Sequence, residues 1–139
     1  MILLDTNVLS ALMRRDPDTA VVAWLDRQPA SSLWTAAVTV FEVRFGIDLL
    51  ADGRERRRLE QAFTQSLAEE LEGRVLAFDQ AAAEAAGTLA AARQRAGRSL
   101  EIRDLQIAGI ARAHKAALAT RNARHFAGLG VKLVDPWSA

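Results

Sequence analysis

The chain has 139 residues, half of them apolar and a quarter charged, with no cysteine and a formal net charge of +1. That length supports one domain with a real core and is too short for two, and the absence of cysteine excludes disulfides, zinc–thiolate sites and thiol nucleophiles. The near-neutral balance excludes a polycation, so any contact with nucleic acid requires local basic patches, and no apolar run approaches the ~20 residues of a membrane span.

In chain order, Ile2–Leu4 reads as a first strand, ended abruptly by Asp5, and Thr6–Met13 as a first helix. Arg14-Arg15-Asp16-Pro17 is a break, and Pro17 or Asp18 starts a second helix through Gln28 with Val21, Val22, Trp24 and Leu25 as its apolar positions. Pro29-Ala30-Ser31 is a turn before a short strand at Ser32–Thr35. The helix expected over Ala37–Leu50 carries Val38, Phe41, Phe45 and Leu49 on one stripe, and Asp52-Gly53 ends it. Arg54–Leu71 reads as one long charged helix, followed by a strand at Val75–Phe78. Asp79 is an N-cap for the alanine-rich helix to Ala96, closed by Gly97. Ser99 is the expected cap of a helix running to about His114; Ala117–Thr120 and Val131–Val134 are the last two strands. Strands alternating with helices imply an α/β fold with a short, mostly parallel sheet of about five strands covered on both faces.

Three carboxylates stand where a core would refuse them. Asp5 is delivered by a buried strand to the carboxyl edge of the sheet, where open α/β folds place their ligands. Glu42 falls within the apolar stripe of its helix, and Asp104 shares a face with Leu100, Ile107, Ala108 and Ala111. One crevice at the strand ends accommodates all three. Clustered carboxylates repel one another unless a cation neutralises them, and oxygen-only ligation, with no cysteine and no histidine at metal spacing, points to Mg²⁺ or Mn²⁺ rather than zinc. After the fourth strand, Thr120-Arg121-Asn122 reaches the same edge, where Asn122 offers a weak amide ligand and Arg121, Arg124 and His125 bring positive charge suited to phosphate.

With Leu-Asp-Thr-Asn at 4–7, Glu42 in a helix, Asp104 before Ile107-Ala108, Thr120-Arg121-Asn122 and the closing Val134-Asp135-Pro136-Trp137, the chain resembles the PIN-domain ribonucleases. More closely it resembles the VapC toxins of bacterial toxin–antitoxin modules, including the FitB-type branch. The resemblance implies one PIN domain over residues 1–139 and Mg²⁺- or Mn²⁺-dependent endonucleolytic cleavage of RNA. It implies Asp5, Glu42 and Asp104 as the catalytic and metal-holding acids, with Thr6, Asn7, Thr39 and Thr120 orienting them. Family members carry a fourth acid after the fourth strand; Asn122 and His125 stand there instead, which points to a one-metal or substrate-completed site.

It further implies a homodimer, a cognate antitoxin lying in a groove near the active site, operator DNA reached only through that antitoxin, and a cytoplasmic location. Leu9, Leu12, Met13, Trp24 and Leu25 are the apolar anchors available for such a groove if they are not core. For RNA phosphates the basic candidates are Arg54–Arg58 and the group Arg93, Arg95, Arg98 and Arg103, besides Arg121, Arg124 and His125. The alternative reading is a weakly active or inactive PIN domain that works mainly by binding its antitoxin and, through it, operator DNA. Haloacid-type phosphatases need a second aspartate where Asn7 stands, and a receiver domain needs paired acids near its start, so both are disfavoured.

Overall fold

The apolar run Ile2–Leu4 (β1) forms the central strand of the computed structural model, which describes all 139 residues. Its neighbours are Leu33–Ala36 (β2) and Ala117–Ala119 (β4), with Val75–Leu76 (β3) and Leu133–Val134 (β5) at the edges. The order β3-β2-β1-β4-β5 is parallel throughout. Such a sheet needs both faces covered, and the alternation of side chains supplies the two cores. Leu4 belongs to one with Val8, Leu9, Trp24, Val43, Ile47 and Phe63. Leu3 belongs to the other with Leu76, Leu105, Ile107, Ile110, Leu118 and Phe126. The first core is roofed by helices α1 (Thr6–Leu12), α2 (Thr19–Asp26), α3 (Ala37–Asp48) and α4 (Arg54–Gln65). The second is roofed by α5 (Gln80–Arg95), α6 (Ile102–His114) and α7 (Ala123–Phe126). No helix is long and apolar enough to cross a membrane.

The chain builds outward from β1 through β2 to β3, then crosses back to place β4 on the other flank of β1. The gap between β1 and β4 is therefore the topological switch point, where α/β folds bind ligands. Asp5 follows β1 and Thr120 follows β4, and the Asp5 N–H donates to the Ala119 carbonyl at 3.0 Å. The meeting of Asp5 and Thr120 at the sheet's carboxyl edge is thus a consequence of strand order, not of local sequence.

Several sequence expectations need correction. Helix α3 is rotated from the stripe read above: Thr39, Val43 and Ile47 face the core, while Phe41, Phe45 and Leu49 are 56%, 49% and 71% exposed. The long helix to Leu71 stops at Gln65 and widens into a π turn over Ser66–Glu70. Ser99 caps nothing; Glu101 is the N-cap residue of α6. The edge strands are shorter than expected, and Phe78 lies outside β3, partly exposed. Leu9, Met13, Trp24 and Leu25 are core residues with Leu12 partly buried against them, and Leu9, Leu12 and Leu25 line a cavity of about 290 Å³.

Candidate metal centre

Asp5 is buried at the end of β1, and both of its oxygens are held. Oδ1 accepts from the Thr6 N–H at 2.8 Å; Oδ2 accepts from the Thr120 hydroxyl at 2.7 Å and the Asn7 amide at 3.2 Å. Thr120, wholly buried, ties the two strand ends together, because its hydroxyl also accepts from Asn7 Nδ2 and from the Asn122 N–H. Asn7 closes this net by accepting the Arg121 N–H at 3.1 Å. Thr6 then links the first acid to the second: its hydroxyl donates to Glu42 Oε1 at 3.0 Å. Glu42 reaches the crevice from α3, on the boundary between that helix's core face and its exposed aromatic face. Asp104, in the first turn of α6, reaches it from the other layer, where His125 Nδ1 lies 3.2 Å from its Oδ2.

Burial raises the pKa of all three carboxyls. For Asp5 the donors Thr120, Thr6 and Asn7 pull the other way. For Glu42 the charges of Asp5 and Asp104 add to burial, opposed by Thr6 and Arg103, and for Asp104 the charge of Asp5 adds to burial, opposed by His125. The three acids therefore lie near enough for the charges of Asp5 and Asp104 to act on Glu42 and that of Asp5 to act on Asp104. They do not close around a common point, so they line the crevice without forming a finished cage.

The donor set suits a hard cation all the same. Asp104 Oδ1 has no hydrogen bond, and Glu42 Oε2 has only Arg103 at 3.8 Å. The hydroxyl of Thr39, one turn before Glu42 on the core face of α3, is buried without a partner. Thr39 touches none of the acids directly, unlike Thr6, Asn7 and Thr120. The Asn122 side chain is exposed and makes no hydrogen bond; only its backbone joins the net.

The basic residues separate into two groups. Arg56, Arg57 and Arg58 of the first run are taken up by Asp48, Glu60, Asp52 and Glu55. Arg93 is not a surface contact either, since it donates to the carbonyls of His125 and Ala127 at 2.9 and 3.3 Å. Arg98 and Arg124 form no ion pair, Arg121 lies over the Trp137 ring at 4.8 Å, and Arg103 lies over Phe41 and Phe45 beside Glu42. The contact of His125 with Asp104 has no periodic signal in the sequence, because a four-residue helix positions it.

The description "PIN domain" fits residues 2–131 of the chain. The VapC ribonuclease Y4jK of Sinorhizobium fredii is 37% identical over 99% of this chain and 98% of its own length. The crystal structure of FitAcB from Neisseria gonorrhoeae matches with a TM-score of 0.90 and 34% identity, covering 100% of both chains. A structure of FitAB bound to an IR36 DNA fragment matches with a TM-score of 0.88 and 35% identity, over 99% of this chain and 96% of that one. The chain belongs to the PIN-domain family, among its VapC and FitB-like members.

Proposed function

We propose that residues 1–139 act as one PIN domain, a Mg²⁺- or Mn²⁺-dependent endoribonuclease that serves as the toxin of a toxin–antitoxin pair in the cytoplasm. One observation carries this reading: Asp5, at the sheet's switch point, is bridged through Thr6 to Glu42, with Asp104 near enough to exchange charge effects with both, and burial raises the pKa of all three. A bound divalent ion would supply a water of lowered pKa and polarise a phosphoryl oxygen. Asp5 and Asp104 would hold that ion and Glu42 would orient the attacking water. Thr6 fixes the Asp5–Glu42 geometry, and Thr120 and Asn7 fix Asp5 from the β4 side. Arg98, Arg103, Arg121 and Arg124 supply positive charge for the RNA backbone. In-line hydrolysis leaves a 5′-phosphate and a 3′-hydroxyl.

The likeness to FitAB supports an antitoxin partner, with operator DNA reached only through it. A homodimer is supported by the unpartnered face of α3. Phe41, Phe45 and Leu49 recur every four residues, and with Leu50, Leu100 and Ile102 they are six of the molecule's eight exposed large apolar side chains, so a second copy is the occupant this stripe fits.

Arg103 beside Glu42 and His125 against Asp104 favour a second reading, in which partly occupied acids leave a weak enzyme that works mainly by binding its antitoxin. Induction of wild-type and Asp5→Asn chains in cells separates the two. The nuclease reading expects growth arrest relieved by the substitution and new RNA 5′ ends only in the wild type; arrest that persists with Asp5→Asn sinks it.

A further inference from the structure

The amino edge of the sheet, opposite the acid crevice, carries an open depression of about 580 Å³ between the end of α6 and the start of β5. Arg112, Lys115 and Lys132 line it, and no carboxylate does. In a chain of net charge +1 that is an uneven local balance, and none of the three cations is drawn into an ion pair. The C-terminal dipole of α6 accounts for cations in its last turn. It does not account for Lys132, which the pairing of β4 with β5 brings there, its carbonyl accepting from the Leu118 N–H at 2.8 Å.

Two of these side chains hold positions that chain preference alone would not give them. Lys115 has a φ of +52°, at the left-handed residue that closes α6, where the Ala116 N–H bonds the Ala111 carbonyl and the Lys115 N–H that of Arg112. Glycine is the usual residue there, because a Cβ is strained. Arg112 lies against Gly130, where a Cβ would collide with its guanidinium, and donates to the Leu129 carbonyl at 3.3 Å. The segment from α7 to β5 joins this depression to the acids. It starts at His125, beside Asp104, passes Gly128, where the Arg98 guanidinium stands 3.5 Å from the place of a Cβ, and reaches Lys132. Along β4 the two edges of the sheet are only about 10 Å apart, at ~3.3 Å per residue.

We propose that single-stranded RNA flanking the cut site runs along this segment, its phosphates held by Arg98 on the way and by Arg112, Lys115 and Lys132 at the amino edge. This inference rests on the RNA-cleaving reading given above. Guanidinium and ammonium groups without acidic partners suit phosphate oxygens. No aromatic side chain lines the depression, so it holds backbone rather than stacked bases.

The test compares wild type, Lys115→Gly with Lys132→Gln, and Arg14→Gln with Arg27→Gln, a pair that removes the same charge from the other helical layer. Binding of a short fluorescent single-stranded RNA is followed by anisotropy in EDTA over a range of salt, beside a duplex DNA of equal length. The lysine pair should weaken RNA binding about tenfold. It should also lower the slope of log affinity against log salt by about 1.4, for two single-strand phosphate contacts at roughly 0.7 each. The arginine pair should change neither. Lys115→Gly alone should melt above wild type, because glycine relieves the left-handed strain, while its RNA binding falls; lost binding is then not lost folding. RNA binding unchanged in the lysine pair, or weakened equally in both pairs, overturns this path alone when the wild type still cuts RNA. Duplex DNA bound more tightly than RNA, and released by the lysine pair, overturns it in favour of a DNA contact. Failure of the wild type to bind RNA overturns it together with the RNA-cleaving reading.

Discussion

At the scale of single residues, the crevice holds negative charge at a cost that the cation-free chain must bear. Burial and the charge of Asp5 raise the Asp104 pKa, so the folded chain binds that proton more tightly than the unfolded chain does. The associated stabilisation is complete below the ordinary value of 3.8 and is lost as pH rises through the raised folded value. At neutral pH the ionised Asp104 therefore destabilises the cation-free chain. Asp104→Asn should raise its stability by ~1 kcal/mol, roughly 3–5 °C in melting temperature, while abolishing cleavage. The gap between the two melting curves should close as pH falls below 4; a variant less stable than wild type at pH 7 contradicts the charge argument. Thr120→Val removes the donor to Asp5 Oδ2 and strands the Asn122 N–H, while the Asn7 amide keeps only its bond to Asp5, at a cost of ~1–3 kcal/mol by thermal or urea unfolding. The same substitution should weaken cation binding ~10–100-fold, because the carboxylate loses the hydroxyl that orients it. Asp5 and Asp104 stand out in the sequence as carboxylates beside apolar neighbours, whereas Glu42 stands out there for a stripe that faces solvent in the fold, so its approach to Asp5 comes from the placing of α3 and the Thr6 bridge. The contact of His125 with Asp104 was not legible, since a short loop helix carries no period and only the packing of Phe126 and Arg93 sets its direction.

At the scale of elements, α3 shows where pattern reading runs out. The helix is apolar on two sides, with Val43 and Ile47 on one and Phe41, Phe45 and Leu49 on the other, so periodicity could not say which side meets the sheet. The bulkier side was the natural choice and it faces outward. Ile47→Ala should cost ~2–4 kcal/mol by cavity formation, whereas Leu49→Ser should stay within ~0.5 kcal/mol. Equal costs in urea unfolding would contradict the observed rotation. If the outer stripe receives a second copy, Phe41→Ser with Phe45→Ser should convert a dimer to a monomer in sedimentation while leaving monomer stability nearly unchanged. The pairing of α5 and α6 is tighter. A Cβ at Gly109 would lie 2.5 Å from the Ala82 carbonyl and 2.7 Å from the Ala86 Cβ. Gly109→Ala should therefore force the helices apart and cost ~1–3 kcal/mol. Helix α4 shows a different limit: Phe63, Leu67 and Leu71 continue a helical spacing through the π turn at Ser66–Glu70, which leaves no mark in the apolar pattern.

At the scale of the whole molecule, the alternation of strands and helices was readable because strands buried on both faces must be short apolar runs. The order β3-β2-β1-β4-β5 was not, since nothing local says that the fourth strand returns to the flank of the first. That return brings Thr120 to Asp5 and carries Asp104 from the second helical layer towards Glu42 from the first. The catalytic proposal is thus a statement about topology: three acids from distant segments, gathered at one sheet edge, hold a divalent ion that cuts RNA. The most direct measurement is the cleavage of a structured RNA by the purified chain in Mg²⁺ or Mn²⁺, with and without EDTA. Cutting that stops with chelation, returns on adding back the ion and leaves 5′-phosphate ends is the predicted result; cutting unaffected by EDTA would contradict it.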